Sequence, residues 1–448
     1  MNNILVLQKD LYQLSPGKMR QLFFFCLLSL SIPLFAQPRT DQLLTSIIQN
    51  DTSIALKRVV ADVAKYRVQI IYTQINRDQQ NRPHFRNYYF NYDPKLYFNP
   101  ASMVKLPLAA LSLEKLTALR QPGVNKQTRM AIDSSFPGQN VRFTDSTSAS
   151  GYPSLAQFIR KAFLVSDNDA YNRMYQFLGQ EYLHKKLWEK GYTSIRMPRQ
   201  FRGYSFEQNR QSNQVRFLDE KGNELYRQPA AYNPHPLTFT EVIKLGEGYY
   251  DRNDSLVHQP MDFSMQNNIP LEDFQQILQS IVFPSSVKRK QRFNFSNADQ
   301  QFLLQYLSQF PSETNYPKYD SSKFYDSYLK FFFRNPVTKR LPGDVRVFNK
   351  VGWSYGFLTD VSYVVDFANG VEYMLAATIY VNSDGILNDD KYDYDAVGYP
   401  FFYAVGQAIH QYEIHRHRKK IPDLNNLRVI YERRDPRDQR PQVKLVDN

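Results

Sequence analysis

The segment Asn99-Pro100-Ala101-Ser102-Met103-Val104-Lys105-Leu106-Pro107-Leu108-Ala109 opens a helix and sets a serine and a lysine in its first turns. Asn99-Pro100 reads as a turn into the helix, because proline suits its entry. Leu106, Leu108, Ala109, Leu111, Leu113 and Leu116 then recur with polar gaps, the pattern of a buried helix. Ser102 therefore falls in the first turn, and Lys105 lies one turn later on the same face. The hydroxyl gains an amine within reach as a base, and the helix N-terminus favours developing negative charge. The backbone N–H of Ser102 can serve as half of an oxyanion hole. Spacing alone has little specificity here. Ser15/Lys18, Ser112/Lys115, Ser285/Lys288 and Ser327/Lys330 repeat it, and only context separates Ser102 from them.

Two downstream fragments supply that context. Ser166-Asp167-Asn168 occurs once, after Leu155, Phe158, Ile159, Ala162 and Phe163, and before a run closed by Gly179. This reads as helix, short polar turn, helix, with the glycine ending the second helix. Such a turn can aim Ser166 and Asn168 into a cleft while Asp167 ties it together. The same residue types are also preferred helix caps, so the fragment decides nothing by itself. Phe348-Asn349-Lys350-Val351-Gly352-Trp353-Ser354-Tyr355-Gly356-Phe357 reads as a strand, a short connection and the start of a second strand. Gly352 lets the backbone approach a ligand closely.

In this order the three fragments resemble the S-x-x-K, S-D-N and K-T-G signature of penicillin-recognising serine enzymes, the class A β-lactamases and penicillin-binding proteins. Asn172 is similar to a further asparagine of the class A pattern. The resemblance implies that Ser102 is the nucleophile and Lys105 its base, directly or through water. It implies that Ser166 relays a proton to the leaving nitrogen, and that Lys350 holds Ser166 and the substrate carboxylate electrostatically. Asn168 would bind the substrate's side-chain amide. Beside Gly352, the N–H of Trp353 would complete the oxyanion hole with that of Ser102.

The chain departs from the family twice. Val351 stands where the family carries a hydroxyl, which removes one donor expected to hold a carboxylate. Class A enzymes also activate the deacylating water with a glutamate in an E-x-x-L-N loop. Gly191-Tyr192-Thr193-Ser194-Ile195-Arg196 resembles the entry to that loop. An ungapped count then brings Arg199 to the glutamate position, and a guanidinium cannot act as a base. Glu207, reached by an insertion, is the candidate deacylation base.

Other chemistries fit less well. No H-E-x-x-H or G-x-x-x-x-G-K-[ST] is present, and the seven histidines are scattered, so neither a metal nor an organic cofactor is expected. Gly352-Trp353-Ser354-Tyr355-Gly356 spells G-x-S-x-G, but a strand follows where a nucleophile elbow needs a helix. The acidic, tyrosine-rich segment from Asn388 reads as a solvated loop. A net charge of +13 suits nucleic acid, an acidic envelope polymer or simply a soluble basic surface. No zinc-finger spacing, RNA-binding signature or basic helix accompanies it, so nucleic acid is not an expected partner.

Lys18 and Arg20 precede the apolar run Leu22–Ile32 and then Pro33-Leu34-Phe35-Ala36, the layout of an export signal too short to span a membrane. Residues 1–36 are read as a signal peptide, with 1–18 an extension if Met19 is the start. A periplasmic or secreted protein follows, without a stable membrane span and as a monomer. The only cysteine, Cys26, lies in that segment, so the mature chain has no disulfide or thiol chemistry.

Hydrophobic content of 42% excludes general disorder. Residues 40–65 read as helix, Tyr66–Ile75 as a strand pairing with Asn87–Tyr92, and 103–180 as largely helical. Val215–Leu218 and Glu224–Arg227 form a hairpin outside the core. Several helices are expected over 237–340, including Asp273–Ile281 and Asp299–Phe310. The hairpin at 346–366, a strand at Val371–Val381 and a last helix from Pro400 to Tyr412 follow. The expected fold is α/β (α+β): an antiparallel sheet built from both chain ends, flanked by helices, with a helical subdomain. A hydrolase domain spans 37–414, with insertions near 205–235 and 255–335, and 415–448 form a solvated basic tail. The expected activity is hydrolysis of a β-lactam amide through an acyl-serine. The alternatives are a D-Ala-D-Ala peptidase or slow penicillin-binding protein acting on a peptidoglycan-type peptide, and a non-catalytic envelope-binding module.

Overall fold

The alternation read over Tyr66–Ile75 forms strand β1 (Gln69–Arg77) in the computed structural model, which describes residues 38–446. The signal peptide read over 1–36 lies outside the described residues. Strand β2 (Pro83–Phe90) pairs antiparallel with β1 across the polar turn, setting Ile70 opposite Phe90 and Thr73 opposite Asn87. Three strands from the other end complete the sheet: β6 (Val345–Ser354), β7 (Phe357–Asp366) and β8 (Val371–Tyr380). Their order is β6-β7-β8-β1-β2, and every pairing is antiparallel. The β6–β7 connection is the two-residue turn Tyr355-Gly356, with φ of 51° and 80°. Both angles are left-handed, as a tight hairpin matched to strand twist requires.

The helices lie before, between and after these strands in the chain, and several start at a capping side chain. The stretch 40–65 makes two helices, α1 (Gln42–Asn50) and α2 (Ile54–Val60), because Ser53 restarts the helix by accepting from the Leu56 N–H. A 3₁₀ turn over Ala101–Val104 leads into α3 (Lys105–Leu119), buried almost all round, as a central helix should be. Ser154 caps α4 (Leu155–Leu164) and Asp167 caps α5 (Asn168–Leu178), which ends at Gly179 with φ of 77°. Helix α6 (Gln180–Glu189) follows directly.

The expectation that 103–180 are largely helical fails between residues 120 and 154. Pro122, Gly123, Pro137, Gly138 and Pro153 break the run, which forms loops and one strand, β3 (Arg129–Ile132). That strand joins the hairpin β4 (Val215–Leu218) and β5 (Glu224–Gln228) in a separate small sheet. The hairpin is therefore not outside the core: Val215 and Phe217 are fully buried in it. Over 237–340 two α-helices form rather than several, α7 (Leu271–Val282) and α8 (Asn297–Ser308); the rest is loops, 3₁₀ turns and short strands.

Strand alternation divides the core in two. Phe357, Val361 and Tyr363 of β7 face the cluster shared with α3, α4, α5, α7 and α8. Leu358 and Val364 face the opposite cluster, shared with α1, α2 and α9 (Tyr399–His415). The basic tail lies largely exposed but is tied to the body rather than free of it. Arg434 donates to the carbonyls of Pro311, Thr314 and Tyr319, and Val443 donates to that of Lys318 at 2.7 Å.

Candidate active site

The turn that enters α3 rests against the edge strand of the sheet. A Cβ added at Gly352 in β6 would stand 2.3 Å from the Pro100 carbonyl oxygen and 3.0 Å from the Ser102 nitrogen. Only glycine permits that approach. It brings the strand carrying Lys350 beside the turn carrying Ser102.

Four of the residues singled out in the sequence then meet around one lysine nitrogen. Lys105 Nζ donates to Ser102 Oγ at 2.6 Å, to the Ser166 carbonyl at 2.5 Å and to Asn168 Oδ1 at 2.7 Å. Its distance to Ser166 Oγ is 3.3 Å. Ser166 has φ of 65°, left-handed for a residue with a side chain. Such backbone strain is held only where the surroundings enforce it; here it lets carbonyl and hydroxyl both reach Lys105. Lys350 Nζ donates to Ser166 Oγ at 3.0 Å and to the Val351 carbonyl at 2.7 Å, so Ser166 bridges two lysines. Both lysines are buried. Burial first, and the nearby Lys105 second, push the Lys350 ammonium well below the usual lysine range.

An open cleft of about 680 Å³ lies over this cluster, lined by Ser102, Asn168 and Trp353 among others. A hydroxyl held by an amine, with a second hydroxyl linking that amine to another, can pass protons in and out of a reacting centre. Val351 points to the opposite core cluster, as its odd place along the strand dictates.

Glu207 does not join the cluster. It is more than half exposed, and its carboxylate is held by Arg210 Nη1 at 2.8 Å. The Tyr232 hydroxyl first, and Arg210 after it, hold the carboxyl below the usual range. A weakened base away from the cleft is poorly placed to activate water, which corrects the assignment made from the sequence.

Several lining residues had no sequence signal. Phe201 and Arg202 come from a loop without a motif, and Phe201 places its ring 5.1 Å from Lys105 Nζ. Asn172 holds that loop by accepting from the Phe201 N–H at 2.8 Å and donating to its carbonyl at 3.2 Å. Asn388, Asp390, Tyr392 and Tyr394 line the cleft too, so the segment from Asn388 is part of its wall. It is anchored there because the Gly356 N–H donates to the Tyr394 hydroxyl at 2.9 Å. Among the described residues no helix is long and apolar enough to cross a membrane, and no group of three or more His, Cys, Asp or Glu could hold a metal ion.

Residues 53–228 match the model of the beta-lactamase enzyme family. The matched residues include Ser102, Lys105, Ser166 and Asn168, while Lys350 lies beyond them. The structure is similar to that of a beta lactamase from Xanthomonas campestris, at 12% identity and a TM-score of 0.44, over 83% of this chain and 99% of that one. For a beta-lactamase from Desulfarculus baarsii the values are 16% and 0.42, over 79% and 97%. For a class A beta-lactamase of the last common ancestor of Gram-negative bacteria they are 14% and 0.42, over 82% and 98%. Among curated proteins none matches the chain.

Proposed function

Starting from a segment, 53–228, that matches the beta-lactamase enzyme family, we propose that this β-lactamase-like protein is a serine hydrolase that opens cyclic amides through an acyl-Ser102 intermediate. The observation that carries the reading is the 2.6 Å contact between Lys105 Nζ and Ser102 Oγ, with Ser166 bridging Lys105 to Lys350. In this mechanism Ser102 Oγ attacks the carbonyl carbon, and Lys105 takes its proton. The N–H groups of Ser102 and Trp353 receive the developing oxyanion. The proton then passes through Ser166 to the leaving nitrogen, so the amide C–N bond breaks as the ester forms. The lowered proton affinity of Lys350 sets it apart from an ordinary surface lysine, as is common at functional sites. Asn168 and the aromatic wall orient the substrate. Export to the periplasm or beyond belongs to the same proposal.

A second reading, slow turnover in the manner of a penicillin-binding protein, is favoured by the position of Glu207 away from the cleft. Intact mass after mixing with benzylpenicillin, followed over time beside Ser102→Ala, tests both. A Ser102-dependent adduct that decays quickly is expected of a lactamase, and one that persists of the slow enzyme. The absence of any adduct would overturn the acylation chemistry.

A further inference from the structure

One wall of the cleft is cationic in a way the acyl-serine chemistry does not use. Asp169, the residue after Asn168, is buried and accepts from three guanidiniums. Arg142 reaches it at 2.7 Å, Arg202 at 2.9 Å and Arg173 at 3.1 Å. The nearby Lys161 lies 3.6 Å from each of Asp145 and Asp167, so those acids face their own cation. Arg173 is committed inside the fold, where it also donates to the Asn140 carbonyl and to Gln176. Arg202 alone of the three lines the cleft. Its Nε is buried without a hydrogen-bond partner among the described residues. One carboxylate thus serves three permanent cations, and the one at the cleft has donor capacity left over.

The loop presenting Arg202 is held residue by residue. The Tyr171 hydroxyl donates to the Arg199 carbonyl at 2.9 Å, and the Arg199 N–H donates to Asn267 Oδ1 at 3.2 Å. The Gln200 N–H donates to Asn209 Oδ1 at 2.7 Å, and Asn172 holds both backbone groups of Phe201. The Phe201 ring stacks on Tyr171 with centroids 4.3 Å apart. A guanidinium on so constrained a backbone loses little freedom when it binds. Among the described residues, the only acidic side chain lining the cleft is the exposed Asp390, on a different segment.

We propose that Arg202 determines specificity, by receiving a carboxylate that the substrate carries on the side of its reactive carbonyl facing the 199–203 loop. A planar guanidinium matches a carboxylate in geometry as well as charge. The inference rests on the acylation reading for its substrate, and it is tested separately from it.

The test measures equilibrium binding by calorimetry to the Ser102→Ala protein, which removes the covalent step. The two ligands are benzylpenicillin and the same compound bearing a carboxylate on its benzylic carbon. The dianionic compound is expected to bind about tenfold more tightly. In Ser102→Ala/Arg202→Gln that ratio is expected to fall to about one, and Ser102→Ala/Arg202→Lys to recover part of it. Thermal midpoints of the three proteins establish that each is folded. A ratio unchanged by Arg202→Gln, or no binding of either compound, overturns the proposal. Adduct formation by the unmodified chain is read in parallel. An adduct without carboxylate preference in the binding assay sinks the role of Arg202 alone. Preference without an adduct sinks the acylation reading alone.

Discussion

At the scale of single residues, the serine-lysine spacing illustrates how little a pair means before its neighbours are known. Ser112 and Lys115 share it, yet among the described residues the buried Ser112 hydroxyl has no partner, and Lys115 caps α5 through the carbonyls of Phe177 and Leu178. Ser102 differs because Gly352 admits the strand of Lys350 beside it. Gly352→Ala places a Cβ 2.3 Å from a backbone oxygen that cannot swing aside as a flexible side chain could. We expect it to cost about 1–3 kcal/mol of stability and to slow acylation of Ser102 about 100-fold. Urea unfolding and the rate of adduct formation check the two effects, and an unchanged rate would show that the close approach is not needed.

At the scale of elements, β6 and β7 are tied from behind by a polar chain. Lys330 Nζ donates to Asn349 Oδ1 at 2.6 Å, and Asn349 Nδ2 donates to Asp360 Oδ1 at 3.0 Å. Lys330 also donates to the carbonyls of Leu307 and Val347, both at 2.8 Å. Burial pushes Lys330 down to about 7 and Asp360 up to about 7. Asp360 holds its proton more tightly folded than unfolded, so its contribution is fully present below 3.8 and is lost as pH rises through about 7. Wild-type stability measured against Asp360→Asn should therefore decline over that interval in urea titrations at several pH values. A flat or rising difference would refute the linkage. Lys330→Met should cost about 1–3 kcal/mol in urea unfolding, because it strands the buried acceptors of Leu307, Val347 and Asn349.

At the scale of the molecule, the basic C-terminal segment belongs to the folded body. Tyr306 donates to Glu432, Ser308 lies 2.8 Å from the Tyr431 hydroxyl, and Arg346 sits over the Tyr431 ring at 3.9 Å. Removing residues 421–448 strands the carbonyls that Arg434 satisfies, and should lower the thermal midpoint by about 5 °C or more. A calorimetric scan in which the truncated protein melts with the full chain would show the segment to be dispensable. Composition gave no hint of this packing, since charge-rich termini are usually solvated. The reversal comes from arginines that meet carbonyls left open by the irregular stretch at 311–319.

The strands β1, β2, β6, β7 and β8, the helices α3, α4, α5, α7, α8 and α9, and the candidate cluster of Ser102, Lys105, Ser166, Asn168 and Lys350 were legible in the chain because periodicity, caps and ordered motifs are local properties. Helix breaks at Asp51–Ser53 and across 120–154 were missed where prolines, glycines and capping serines outweighed apolar spacing. The placement of Phe201 and Arg202, the segment from Asn388 and the remoteness of Glu207 were decided by tertiary structure alone. Those residues sit on loops whose course is set by distant partners such as Asn172, Asn267 and Gly356, and no local pattern encodes a contact made across the fold.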